Sequence, residues 1–373
     1  MALLTNFHSI RPPFESTQED TLEWLVAAHT MAERHGADLH PEFEGRLRET
    51  LWHVGCKPEA IAKRGHVLQD FHHCKWDEMQ VYKLKQTPIG SDLGKRMVYF
   101  QQHADRVLEE FYEGDSSAPD DLIHVSCTGY LAPSAAQKLV SRKQWGQQTT
   151  VTHAYHMGCY GSLPAIRMAR GFLHETSHSV DIVHTEICTI HSNPSLHRLD
   201  QLVSQSLFAD GFIKYSVKKN VSDAHLKIHA IREEIISDSL EAMTWDVVEW
   251  GYAMSLSKEV VVYIARALRK YLERLSTSSL WTAEQLIRNA FFAIHPGGPK
   301  ILSHVQKILG LLAPQLAHST AILKAHGNMS SATLPHIWKA LLEDPAVPSG
   351  PIVSLAFGPG LTLSGCILEK LCG

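Results

Sequence analysis

Residues 154–169 read Ala154-Tyr-His-Met-Gly-Cys159-Tyr-Gly-Ser-Leu-Pro-Ala-Ile-Arg-Met-Ala169. Val151 to Met157 suits an extended strand, Gly161 to Leu173 suits a helix packed in the interior, and Gly158-Cys159 is the joint between them. A thiol at such a joint meets the unpaired N–H groups and the positive end of the helix, and both favour the thiolate. The glycines at 158 and 161 let the backbone approach a bound group closely. Taken alone, the segment fits a buried, inert core cysteine equally well, because free cysteine is among the most buried residue types.

The same alternation continues outward. Leu3 to Ile10 reads as a first strand closed by Pro12 and Pro13, and Thr17-Gln-Glu-Asp opens a helix with a capping threonine and early acids. Residues 90–112 form an amphipathic helix, Asp121 to Cys127 a short strand, and Val180 to Thr189 another. In the second half, Gln205 to Val217 holds a turn at Ala209-Asp-Gly that leads into a strand. Glu259 to Leu275, Pro299 to Leu312 and Leu334 to Leu342 read as helices, and Leu286 to Ile294 as strand-like. Ile352 to Phe357 and Leu361 to Leu368 flank Gly358-Pro-Gly360 as a closing pair of strands. Strands alternating with helices give an α/β class. At 373 residues the chain suits two similar halves, 1–200 and 201–373.

Composition excludes several classes. Hydrophobic residues are 44% and charged residues 20%, too apolar and too weakly charged for a disordered chain. A net charge of −4 with His neutral argues against a nucleic-acid binder. No basic, then apolar, leader opens the chain, and no run of about eighteen apolar residues marks a membrane span. Seven cysteines, an odd number, point to reduced thiols in a cytosol, which leaves a thiol available as nucleophile.

Two further segments carry chemistry. In Phe291-Phe-Ala-Ile-His295-Pro-Gly-Gly-Pro-Lys300 an apolar strand delivers one histidine into a rigid turn. In His326-Gly-Asn328-Met-Ser-Ser-Ala332 a glycine-led turn presents a side-chain amide suited to donate to a developing oxyanion. Separately, each also fits a strand cap or an ordinary turn residue.

Together, His295-Pro-Gly-Gly-Pro, Gly327-Asn-Met-Ser-Ser-Ala, Phe357-Gly-Pro-Gly-Leu-Thr, Leu207-Phe-Ala-Asp-Gly211 and the Cys159 segment resemble the type III polyketide synthases. These are the chalcone and stilbene synthase family of the thiolase superfamily, and the pattern looks bacterial. The resemblance implies the thiolase fold, two α/β halves in five layers α-β-α-β-α, and a cytoplasmic homodimer. It implies that Cys159 takes an acyl group from a thioester while His295 pairs with the thiolate. Asn328 and His295 then stabilise the enolate left when malonyl-CoA loses CO₂. That enolate condenses with the acyl group, and cyclisation gives an alkyl α-pyrone or a resorcinol. No cofactor is implied, acyl-CoA and malonyl-CoA being substrates, and no metal.

Site residues carry over one by one. Phe208 matches a gate phenylalanine, and Met254, in Gly251-Tyr-Ala-Met-Ser-Leu, replaces the second. Methionine is thinner and more flexible, which implies a gate open to longer aliphatic chains. Ser330, Thr128 and Gly298 match substrate-binding positions. Lys57, Lys63 and Arg64 resemble the family's basic patch for CoA, and also fit a solvated helix face. The loop Cys127-Thr-Gly-Tyr-Leu-Ala-Pro133 is about two residues shorter than in plant members, and Ala132 stands where those have a methionine reaching into the partner subunit.

His174-Glu-Thr-Ser-His178 fits a zinc pattern that requires the middle of a helix, whereas here it runs into the strand at Val180. Three other activities compete. A stand-alone ketosynthase joins two β-keto acyl chains carried on acyl carrier proteins into an α-pyrone. A catalytically silent scaffold would resemble a synthase without acting as one. A thioesterase would use the same Cys-His pair, and the absence of a carboxylate base argues against it.

Overall fold

The computed structural model describes residues 2–36, 39–114, 117–175 and 178–372. The strands of the first part are β1 (Leu3–Ile10), β2 (Phe14–Thr17), β3 (Lys63–His66), β4 (Asp121–Ser126), β5 (Thr150–Tyr155), β6 (Ser179–Glu186) and β7 (Gly211–Lys218). Those of the second are β8 (His225–Ile235), β9 (Met243–Val248), β10 (Gly251–Leu256), β11 (Phe291–Ile294), β12 (Gly350–Gly358) and β13 (Thr362–Leu371). The helices are α1 (Gln18–Glu33), α2 (Phe43–Val54), α3 (Leu93–Phe111), α4 (Ala135–Arg142), α5 (Ser162–Glu175), α6 (Leu199–Leu207), α7 (Val260–Ser276), α8 (Ala283–Asn289), α9 (Pro299–Leu309), α10 (Ala317–His326) and α11 (Thr333–Glu343).

β4 is buried along its whole length and pairs in parallel with β5 and β6. Parallel neighbours need crossovers, which α4 and α5 supply. β7 and then β1 add antiparallel strands. In the second part β11 runs parallel to β12, and β12 and β13 form the expected hairpin across Gly358-Pro-Gly360. β8 pairs with β13 and touches β1 only at Leu3 and Leu4, so a two-residue seam joins the two parts into one sheet of nine. Because β7 lies among the first-part strands, the change of part falls between Lys218 and His225.

The period of two in each strand divides the core into three slabs. Leu122, Val183 and Phe212 face one way and pack with α1 to α4. Ile123, Ile182 and Val217 face the other way, onto α5 and α11, which also receive Ala293, Ile352 and Cys366 from the second part. Phe292, Val353 and Ile367 point beyond, onto α7 to α10. The order is helix, sheet, helix, sheet, helix, the five-layered arrangement the sequence implied.

Two segments differ from the sequence reading. Leu286 to Asn289 is helical: Thr282 and Gln285 close a capping box, with Gln285 Oε1 accepting from Thr282 N at 2.8 Å. Only Phe291 to Ile294 is extended. Residues 243–254, read in the sequence only for Met254, mostly build an antiparallel ribbon of β9 and β10 outside the large sheet. Met254 faces Trp245 across the ribbon.

Among the described residues no helix is long and apolar enough to cross a membrane. His174 and Glu175 end α5, while Thr176 and Ser177 lie outside the described residues. No three His, Cys, Asp or Glu side chains among the described residues are placed to hold a metal ion. All seven cysteines are free thiols.

Candidate active site

Cys159 sits in a single tight turn, Gly158–Tyr160, between β5 and α5, and is 8% exposed. The turn requires glycine at 158, where φ is +76°. It packs against the β12–β13 connection so closely that a Cβ on Gly358 would lie 2.0 Å from Tyr160 Cδ1. Gly358-Pro-Gly360 therefore shapes the wall beside the thiol.

The opposite wall is the turn after α10. Gly327 caps that helix at φ +73°, and Asn328 bonds by its backbone to Leu207 and Ala209 on either side of Phe208. Asn328 Oδ1 accepts from Ser330 N at 2.9 Å. That bond commits the carbonyl end of the amide and leaves its NH₂ as the donor. Ser330, at φ +48°, is a non-glycine residue in the left-handed region, and its hydroxyl lies 4.0 Å from Cys159 Sγ. Strain of this kind costs about 1–3 kcal/mol and concentrates at functional sites.

His295 follows β11, its backbone N–H donating to Leu355 O at 2.8 Å. It thus stands at the same strand ends as Gly358 and Pro359, which touch the cysteine turn. His295 is 1% exposed, and neither ring nitrogen has a hydrogen-bond partner among the described residues. A buried imidazole with both nitrogens unsatisfied is costly unless a ligand completes it.

Electrostatics departs from the sequence reading. Burial pushes the Cys159 thiol up to about 12, and bonds from Ser330 and Asn328 only partly oppose it. Burial likewise takes His295 down to about 3. Burial therefore favours a neutral thiol and a neutral imidazole, not a thiolate held by the helix end. Tyr160 and Gly161 stand between the cysteine and the first residue of α5, and desolvation outweighs the helix field.

The thiol opens on a narrow cavity lined by Cys127, Thr128, Cys159, Phe208, Trp245, Met254, Ser330 and neighbours. Thr128, Phe208, Met254 and Ser330 thus meet at one place. His295 and Gly298 are not on this wall; Gly298, at φ +146°, starts α9. A second narrow chamber shares Cys188, Phe208, Trp245 and Met254 with the first. The basic patch is split. Lys57 is exposed and Lys63 pairs with Glu15 at 2.6 Å, while Arg64 is buried, 4% exposed, and lines the second chamber. Arg64 turns inward because two backbone carbonyls, Gln205 O at 2.8 Å and Phe208 O at 2.6 Å, accept from its Nη1.

Two residues escaped the sequence reading. Trp245 donates its indole N–H to Cys127 O at 2.7 Å, which fixes the ring between the chambers. Glu186 ends β6 wholly buried, accepting from Cys127 N at 3.0 Å, Thr128 Oγ1 at 2.8 Å and the Ser331 hydroxyl. Burial raises it to about 7. A carboxyl is therefore present beside the thiols, and the argument against hydrolysis from its absence does not hold. The one sequence signal for Glu186 was a lone acid closing an apolar strand.

Two family models match the chain: the N-terminal domain of chalcone and stilbene synthases over residues 29–217, and the C-terminal domain over 227–372. "Probable polyketide synthase 1" of Dictyostelium discoideum is 27% identical over 277 residues, 73% of this chain and 9% of that protein. The 1,3,6,8-tetrahydroxynaphthalene synthase of Streptomyces coelicolor is 27% identical over 246 residues, 65% of this chain and 64% of that protein. The chain thus spans under two thirds of either relative's length. The solved structure of that synthase covers 100% of both chains with TM-score 0.79 and 21% identity. The C-terminal type III polyketide synthase domain of Steely1 from Dictyostelium covers 99% of both with TM-score 0.81 and 20% identity. At such identities the likeness establishes the fold.

Proposed function

Since the chain belongs to the chalcone and stilbene synthase family, we propose that it acts as a type III polyketide synthase, with Cys159 as acyl carrier and His295 and Asn328 as its partners. One observation carries this reading: His295 is buried, neither ring nitrogen has a hydrogen-bond partner among the described residues, and it stands at the strand ends whose Gly358 and Pro359 touch the cysteine turn.

The neutral pair dictates the first step. Attack of Cys159 Sγ on an acyl thioester carbonyl is accompanied by transfer of the thiol proton to His295. The carbon–sulfur bond to CoA breaks, and CoA leaves as the thiol with that proton. Malonyl-CoA then loses CO₂, and the electrons of the broken carbon–carbon bond form a thioester enolate. The Asn328 NH₂ and a His295 N–H are the donors for its oxygen. The enolate carbon attacks the acyl carbonyl on Cys159, the new carbon–carbon bond forms, and the cysteine sulfur leaves. Buried walls exclude water and strengthen these donors.

Cyclisation to an α-pyrone or resorcinol, and a fatty or other bulky starter, are the finer parts of the proposal. Met254 at the gate supports a flexible passage, although Trp245 beside it narrows the way. Lys57 and Lys63 are proposed to meet CoA phosphates; an acyl carrier protein would use the same cations. A homodimer is proposed as well, and β5, an edge strand of the sheet, offers a free edge for a second copy.

Intact-protein mass after incubation with acyl-CoAs and acyl carrier proteins, for wild type and Cys159→Ala, tests the reading. Acyl mass on wild type alone is expected. No adduct from any donor would sink the covalent mechanism and favour the silent scaffold, while loading from carrier proteins alone would favour the stand-alone ketosynthase.

A further inference from the structure

The second chamber is lined by a charged group whose donors are only partly used among the described residues. Arg64 commits Nη1 to two backbone carbonyls, but Nε and Nη2 have no hydrogen-bond partner among the described residues. The other polar side chains of the wall are largely occupied. Gln205 bonds His29 and Asn193, Thr189 bonds Asp210, Ser204 bonds Asp200, and the His191 ring is held by Thr128 and Tyr252. Asp210 lies within electrostatic reach of Arg64, yet its oxygens are taken by Val67 N–H and by the N–H and hydroxyl of Thr189. A buried guanidinium with two idle N–H groups bears a desolvation cost that an incoming planar oxyanion would offset.

The chamber is also well placed. It shares the wall of Cys188, Phe208, Trp245 and Met254 with the cavity that holds Cys159. An acyl chain on the thiol would have to pass this wall for its far end to meet the arginine. The near cavity, lined mainly by apolar and sulfur-bearing side chains, suits the chain's carbon portion.

We propose that Arg64, rather than meeting CoA at the surface, binds a delocalised oxyanion at the distal end of the acyl chain. Two sources share that chemistry: the carboxylate of a dicarboxylic starter, and the enolate of a β-diketone made by extension. The inference rests on Cys159 carrying the acyl group.

The test has two arms, each on wild type, Arg64→Lys and Arg64→Gln, with folding checked by circular dichroism. The first compares single-turnover loading of Cys159 from succinyl- and glutaryl-CoA with loading from neutral acyl-CoAs of matched length. The second gives all three proteins one neutral starter with malonyl-CoA and counts extensions by product mass. A carboxylate source predicts that wild type favours the acidic starters by about 10–100-fold, the span of a hydrogen bond to a charged group. That preference would be lost in Arg64→Gln and partly kept in Arg64→Lys. An enolate source predicts no preference in loading but shorter products from Arg64→Gln, with Arg64→Lys between. If Arg64→Gln does not fold, the wild type and Arg64→Lys decide. Loading without preference and unchanged product length in every folded protein overturns the inference and leaves the proposed function standing. Absence of loading in wild type sinks both.

Discussion

Replacing Gly158 by alanine probes how tightly the nucleophile is positioned. At φ +76° an alanine would sit in the left-handed region, at a cost of about 1–2 kcal/mol. Its Cβ would also lie 2.7 Å from Pro359 Cδ and 3.3 Å from Cγ. Carbon pairs prefer about 3.5–4.0 Å, and overpacking of this kind costs about 1–3 kcal/mol. The sum, about 2–5 kcal/mol, is a large share of a domain stability of about 5–15 kcal/mol. Pro359→Ala removes the clashing Cγ and Cδ, so the double variant should regain the packing part and keep the backbone part. Urea unfolding of the four proteins gives the coupling directly. Acyl loading should fall as well, since a displacement of about 1 Å at a reacting group can cost about 100-fold. A Gly158→Ala protein within about 0.5 kcal/mol of wild type, or a double variant no more stable than Gly158→Ala, would refute the argument that the two turns interlock.

Asn328→Asp replaces the NH₂ donor with an acceptor beside the thiol. Decarboxylation of malonyl-CoA should fall about 100–1,000-fold, as for loss of an oxyanion donor, while a neutral Asn328→Ala keeps some acyl loading; an Asp variant that decarboxylates normally would remove Asn328 from the mechanism. Trp245→Ala should join the two chambers and broaden the accepted starters, seen as new product masses from longer acyl-CoAs. Its stability loss should stay below the about 3–5 kcal/mol of a core Trp→Ala, because Trp245 is only partly buried. Glu186 makes a pH prediction. Its carboxyl is raised from 4.5 to about 7, so the protonated form is favoured in the fold. Its contribution is complete below about pH 4.5 and is lost as pH rises through about 7. At about 1.4 kcal/mol per unit the loss is about 3 kcal/mol at most. In Glu186→Gln this fall should vanish from the stability–pH curve measured by urea unfolding.

The strands and helices that carry the site were legible because their burial is continuous or strictly periodic. β4, β6, β12 and β13 each hold a short apolar stretch between clear breakers, and Cys159, His295 and Asn328 each stand at a glycine-marked joint. Leu286 to Asn289 was misread since four residues, Leu-Ile-Arg-Asn, next to a true strand carry no period of their own; the capping box at Thr282 decided the matter. The protonation of Cys159 was misjudged for another reason. A helix end can be read from sequence, whereas desolvation depends on walls supplied by distant residues such as Pro359 and Ser330. Arg64 looked like its neighbours Lys57 and Lys63 in a basic run. Only the backbone carbonyls of Gln205 and Phe208, some 140 residues away in sequence, turn it inward. Trp245 had no signal, since its register partner Met254 and its acceptor Cys127 O are settled by tertiary contact.

The ribbon of β9 and β10 bonds to itself and stands outside the nine-stranded sheet. Yet it sends Met243, Trp245 and Met254 to the cavity walls while Asp246 and Val247 face outward. The ribbon also serves the core: Tyr252 is buried in the first slab with Trp245 packed against it, and Met243 and Leu256 pack on the slab of α7 to α10. Trp245 and Met254, both only partly buried, are the positions where a substitution costs folding least and still alters which molecules fit within. The shape of the cavity can therefore change from one face of a two-stranded ribbon while the turn that holds the thiol stays as it is.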